Sequence, residues 1–197
     1  MEKSGRQDRR VRYTKLVLRQ SLLELMRDRP INKINVTDIC ERADINRGTF
    51  YAHYADQYDL LAQIENELYE EIKRSIEKSL NADTLSSLLV EIFEAVAANG
   101  DLCRILFSEF GDKAFLKRIV DIARDKCIEE WSALIPSADR RVLDMLYTFD
   151  ANGSVGVIQE WVQNGLAETP EEIARLLDRI SKGVLRAFME PEGMERA

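Results

Sequence analysis

The chain has 197 residues, 45% of them hydrophobic and 32% charged, with a formal net charge of -7. That length buries one sizeable core or two small ones, and no apolar run approaches the roughly 18 residues of a membrane span, so no membrane association is expected. Three separated cysteines (Cys40, Cys103, Cys127), a single histidine (His53) and a charged N-terminus argue against a disulfide framework, a metal site and a secretory signal, and for a reducing cytoplasm.

The charge is uneven. Residues 1–54 carry 12 basic and 7 acidic side chains, whereas the remainder carries 16 and 28. A basic head on an acidic body suits a polyanionic partner for the head.

Helical periodicity runs along the chain, and no period-2 strand stands out. Leu18, Ser21, Leu22, Leu25 and Met26 form one apolar stripe, which predicts a helix over 9–28 that Pro30 stops. Asn35 caps a predicted helix over 36–43, with Asp38 adding favourable charge in its first turn. Asn46 caps another over 47–53, and Asp56 a third running to about Leu80. Helix starts in such quick succession form the helix-turn-helix pattern. Five more helices are predicted: 84–98 capped by Thr84, 101–108, 113–134, 138–166 after Pro136 and Ser137, and 170–189 opened by Pro170. The expected fold is all-α, with about nine helices. A head of short helices would occupy 1–54, a connecting helix about 56–80, and a body of long helices 81–197.

The second helix of such a motif enters the major groove with its first residues nearest the bases. Here it begins "RGTFYAH". Arg47 can fork onto a guanine edge or a phosphate, and Gly48 lets the backbone approach closely. Thr49 offers a hydroxyl, and Tyr51 and His53 carry polar tips for phosphate. Phe50 and Tyr54, four apart, share one face that is expected to join a core with Ile34, Ile39, Ala43 and Ile45. Singly, each of these residues fits ordinary surface or core; their joint order is what points to DNA.

That order resembles a known family. "INKINVTDICERADINRGTFYAHYADQYDLL", residues 31–61, is similar to the DNA-binding head of TetR/AcrR transcriptional regulators. Val36, Asp38, Ile39, Ala43, Gly48, Thr49, Tyr51, His53, Leu60 and Leu61 match the family pattern. Tyr54 replaces the usual Phe, Cys40 the usual Ala, Asp44 the usual turn Gly, and Gln57 a phosphate-contacting Lys. The last change predicts slightly weaker, less salt-dependent binding. The resemblance implies a DNA-contacting set of Asn35, Thr37, Asn46, Arg47, Gly48, Thr49, Tyr51, His53 and Gln57. Arg6, Arg9, Arg10 and Arg12 offer either a basic arm or a disordered tail.

From "LCRILFSEF" to "GSVGVIQEWVQNGLAETPEEIARLL" the chain resembles a TetR-like C-terminal domain. This implies a homodimer through the last two helices, with Gly153, Ser154, Val157 and Trp161 at the interface; an intramolecular helix crossing uses the same small residues. It also implies a small-molecule pocket, with Phe93, Phe107, Phe110, Trp131, Tyr147 and Phe149 as its candidate lining. The implied function is a ligand-responsive homodimeric repressor on a pseudo-palindromic double-stranded DNA operator, with no cofactor. The alternative is an activator or co-regulator controlled by a protein partner. No catalytic motif is present, and one histidine does not supply the paired Glu-x-x-His of a di-iron helix bundle, so no enzyme is expected.

Overall fold

The computed structural model describes residues 2–78 and 84–189. They form α1 (Glu2–Met26), a 3-10 turn (Ile31–Lys33), α2 (Val36–Ala43), α3 (Arg47–Tyr51), α4 (Gln57–Lys78), α5 (Leu85–Ala98), α6 (Gly100–Leu106), α7 (Lys113–Val120), a second 3-10 turn (Asp121–Ala123), α8 (Arg124–Leu134), α9 (Arg140–Gln163) and α10 (Pro170–Met189). The all-α expectation holds. Among the described residues the nine predicted helices are all present, and one of them, 113–134, is split in two by the second 3-10 turn.

Several boundaries differ for readable reasons. α1 begins at Glu2 rather than residue 9, so the arginine run rides on a helix instead of a free arm. "EKSGRQDRRVRYTK" contains mostly strong helix formers and no proline. α3 ends at Tyr51, two residues early. α9 waits for a true cap: Asp139 Oδ1 accepts from the Val142 N–H at 2.8 Å. It closes at Gln163, ahead of Gly165 and Leu166, both of which take positive φ (81° and 57°). α10 starts with a reciprocal cap in which Thr169 N–H donates to Glu172 at 2.8 Å and Glu172 N–H donates to Thr169 Oγ1 at 3.3 Å. The predicted end of α4 near Leu80 and the break at 81–83 lie outside the described residues.

The chain divides into two compact units. One comprises residues up to 69 together with 101–112; the other comprises 70–100 and 113 onward. The first is built on Leu18, Leu22 and Met26 of α1, which are fully buried against Ile34, Ile39 and Phe50. Ile45, expected in that core, is only half-buried. Ion pairs tie its helices at the rim: Arg42 to Glu24 at 2.6 Å, Arg29 to Asp38 at 3.0 Å, and Arg19 to Glu67. The turn after α6 needs glycine, because a Cβ on Gly111 would lie 1.8 Å from the Leu106 carbonyl oxygen. In the second unit α5 packs chiefly on α10, and α7 and α8 on α9. Phe93, Val96, Ile119, Trp131, Trp161 and Val162 fill the space between them.

Candidate functional site

The head's presentation of α3 is built from caps. Asn35 and Asp38 form a reciprocal pair at the start of α2, with N–H to oxygen distances of 3.0 and 3.1 Å. Asp44 ends α2 in the left-handed conformation (φ 51°, ψ 45°), which a short polar side chain tolerates better than most. Asn46 Oδ1 then accepts from the Gly48 N–H at 2.7 Å and launches α3. Beyond it, Asp56 caps α4 at 2.8 Å from the Asp59 N–H, and Asp59 takes the Ala55 N–H at 2.9 Å. Two tight turns thus fix a five-residue helix between two caps.

One side of α3 is anchored. Phe50 is fully buried and Tyr54 nearly so, their rings 5.6 Å apart. The opposite side is open: Arg47, Gly48, Thr49 and Tyr51 are all exposed. The Arg47 guanidinium lies 3.4 Å from the Tyr51 hydroxyl and 6.0 Å from its ring centre, so the phenol props the cation outward. Among the described residues no carboxylate pairs with Arg47. An unneutralised cation beside two hydroxyls at a helix start is a ready anion and base-edge contact.

The other members of the expected DNA set are placed differently. Asn35 and Asn46 are exposed, but their side-chain oxygens are committed to capping, so they position the helices. Thr37, His53 and Gln57 are half-buried, with the His53 ring 6.4 Å from that of Tyr54. Two neighbours escaped the sequence reading. Lys15 of α1 sits 5.9 Å from the Tyr54 ring, a proximity that only the fold creates. Tyr58, 49% exposed in the first turn of α4, adds a polar-tipped ring beside Gln57; its place next to that residue was visible in the sequence.

The second unit holds a cavity of about 30 Å³. Of the candidate pocket residues, Phe93 and Tyr147 line it. Trp131 is buried behind Tyr147, with ring centres 6.3 Å apart. Phe107 and Phe110 belong to the other compact unit. Phe149 is 65% exposed and faces outward, because it falls on the α9 face opposite the core. The polar lining was not foreseen: Cys127, Asp150, Ser154 and Ser181. Burial raises the Asp150 carboxyl, and its partner is the Ser181 hydroxyl, which donates at 2.5 Å. Burial, then Asp150 and Glu130, push the Cys127 thiol up to about 12. Tyr147 is raised as well, first by burial and next by its hydrogen bond to Asp121 at 3.0 Å. Its hydroxyl also lies 3.4 Å from the Val120 carbonyl, where the α7 ladder is interrupted.

The expected interface residues separate. Trp161 is core: it meets Phe93 edge-on at 5.6 Å and its Nε1 donates to the Glu168 carbonyl at 2.9 Å. Ser154 borders the cavity, Val157 is half-buried and Gly153 is exposed with open space around it. A different face stands out. Met145 and Phe149 of α9 and Leu176 and Ile180 of α10 are between 45% and 65% exposed. A shallow apolar groove of about 410 Å³ lies there, lined by Val142, Met145, Leu146, Phe149 and Val184. Four-apart spacing on α10 and three- and four-apart spacing on α9 keep these side chains in register on one stripe of each helix. Among the described residues, no helix is long and apolar enough to cross a membrane.

Comparison with known proteins agrees with this geometry. A family model described as "Bacterial regulatory proteins, tetR family" matches residues 20–64, and "Transcriptional regulator C-terminal region" matches residues 83–183, just over half the chain. YxbF, an uncharacterized HTH-type transcriptional regulator of Bacillus subtilis, is 30% identical over 63 residues, covering 32% of this chain and 16% of that protein. The chain therefore spans only a small part of that curated relative. A TetR transcriptional regulator from Streptococcus agalactiae superposes with a TM-score of 0.66 at 20% identity, covering 90% of this chain and 98% of that one. The dihydroxyacetone kinase operon activator DhaS does so with a TM-score of 0.58 at 18% identity, covering 89% and 97%. With a capped, outward-facing α3 in the first unit and a family match across the second, the chain belongs to the TetR family of DNA-binding transcriptional regulators.

Proposed function

We propose that this chain is a cytoplasmic, non-enzymatic homodimeric repressor that reads a pseudo-palindromic operator and releases it when a small molecule occupies the body cavity. The observation that carries the DNA reading is the exposed Arg47–Tyr51 surface, unneutralised and fixed by caps on both sides. Arg47 is assigned to a base edge, and Thr49, Tyr51, His53 and Gln57 to backbone phosphates. The apolar face of Met145, Phe149, Leu176 and Ile180 supports self-association, since a two-fold contact pairs such a stripe with itself. Two heads then read two half-sites on one side of the duplex.

A second reading keeps the DNA contacts and places control in a protein partner, with activation as the output. What favours it is the cavity's size: about 30 Å³ falls far below the 300–1,000 Å³ of drug-sized ligand sites.

Selection from randomised duplex DNA at near-physiological salt tests the core of the proposal. The expected product is an inverted repeat. Arg47→Ala should then cost about 1–3 kcal/mol and relax preference at one position per half-site. Tyr51→Phe should weaken all sequences alike, because phosphate contacts carry no base information. No enriched sequence, or equal loss at every base for both variants, refutes the assignment.

A further inference from the structure

We propose that the body cavity is a receptor for a small organic ammonium ion, with the Asp150 carboxylate as its counter-ion; this rests on the ligand-controlled function above and names the ligand's class. The cavity wall is otherwise apolar, with Leu85, Ile92, Phe93, Ile158 and Leu177 closing around one carboxylate. Among the described residues no Lys, Arg or His lines it. Among the described residues Asp150 pairs with no cation and takes only the Ser181 hydroxyl. The nearby guanidinium of Arg124 is engaged elsewhere, at 2.6 Å from Asp144 and 5.5 Å from the centre of the Tyr147 ring.

A carboxylate drawn from water without a cation is costly, and a purely structural hydrogen bond to Ser181 would be made as well by a neutral amide. A half-buried carboxylate with no cation beside it adds little to stability, so its presence suits a partner that arrives from outside. The remaining lining favours the same ligand. Cys127 and Tyr147 stay neutral at physiological pH, and Asp150 together with Glu130 already biases the site against anions. Phe93 and Tyr147 supply two aromatic rings, which attract a desolvated cation as well. Size completes the case. About 30 Å³ holds roughly two water-sized groups, enough for an ammonium head and its first carbon. A longer aliphatic tail must push past the half-buried Leu89, Val120 or Ser154.

The test compares methylammonium with methanol and formate, which are similar in size but neutral or anionic. Each is added to the full-length protein at near-neutral pH, and the melting temperature and bound fraction are read by calorimetry. In parallel, operator DNA from the selection above is followed by fluorescence anisotropy. The expected result is stabilisation by methylammonium alone, with affinity falling roughly tenfold or more in Asp150→Asn, where a charge-assisted contact is lost. Asn keeps the shape and still accepts the Ser181 hydroxyl, so the variant should fold. Should it not, the wild-type comparison decides: equal effects of amine and alcohol overturn the proposal. An Asp150→Asn protein that responds as wild type also overturns it. Ammonium binding that leaves operator affinity unchanged upholds the receptor site and overturns ligand control. Operator release by a neutral or anionic ligand alone upholds ligand control and overturns the ammonium site.

Discussion

Replacing Phe149 by alanine should separate the proposed dimer without unfolding the protomer. The side chain is 65% exposed, so of the roughly 200 Å² a phenylalanine presents, about 130 Å² lies open to water. Covering that area contributes up to about 3 kcal/mol per protomer at about 25 cal/mol per Å². Two-fold symmetry counts it twice, and alanine retains roughly a third, leaving a loss of about 4 kcal/mol per dimer. The dimer dissociation constant should rise about a thousandfold. Folding of the protomer should change by no more than about 0.5 kcal/mol, as for other surface positions. Trp161→Ala should behave in the opposite way. Only 2% of that side chain is exposed, so the main cost of about 3–5 kcal/mol falls on folding. Sedimentation velocity over a concentration series measures the first quantity, and urea denaturation the second. A Phe149→Ala protein that dimerises as tightly as wild type would remove this face from the interface. So would a wild-type chain that stays monomeric at micromolar concentration.

Three further outcomes follow from the geometry. Gly111→Ala should destabilise the first unit by several kcal/mol, because the new Cβ meets a backbone oxygen at 1.8 Å that cannot retreat cheaply; a melting temperature within a degree of wild type would contradict this. Asn35→Ala should cost about 1 kcal/mol by opening the α2 capping pair, with Asn35→Asp restoring most of it in the same urea titration. Asp150→Asn should shift stability in a pH-dependent direction. Burial raises this carboxyl, so the folded state holds its proton more tightly than the unfolded chain does. The resulting stability is present in acid and is lost as pH rises through the folded value. Asparagine carries no such slope, so the melting temperature of the variant relative to wild type should climb from pH 4 towards neutrality. A flat or falling difference would show that Asp150 is not desolvated as the structure implies.

The head was largely legible because its determinants are local. Asn35, Asn46 and Asp56, like Thr84 in the body, announce helix starts through hydrogen bonds that span two or three residues, and each is found capping. The Phe50–Tyr54 spacing likewise named its own buried face. The body was less legible, because apolar residues on a helix that is wet on one side and packed on the other look alike in sequence. Phe149 and Trp161 sit twelve positions apart on α9. One faces water and the other the core, where Phe93 of α5 meets Trp161, and only the packing of the neighbouring helices decides which. The break at 121–123 was hidden for a related reason: no proline or glycine marks it, and the Tyr147 hydroxyl beside it comes from another helix. The cavity's polar lining draws Asp150 from α9, Cys127 from α8 and Ser181 from α10, so no spacing rule joins them.

The chain's two tryptophans both lie in the second unit, Trp131 against Tyr147 and Trp161 against Phe93. Each indole is therefore one ring removed from the cavity, since Tyr147 and Phe93 line it. The head contributes tyrosine emission only. Light absorbed at the red edge of the protein spectrum is thus taken up by two native chromophores flanking the cavity and by none at the DNA-reading surface. Under the proposed function, the protein would carry its own optical gauge of cavity loading, readable without a dye.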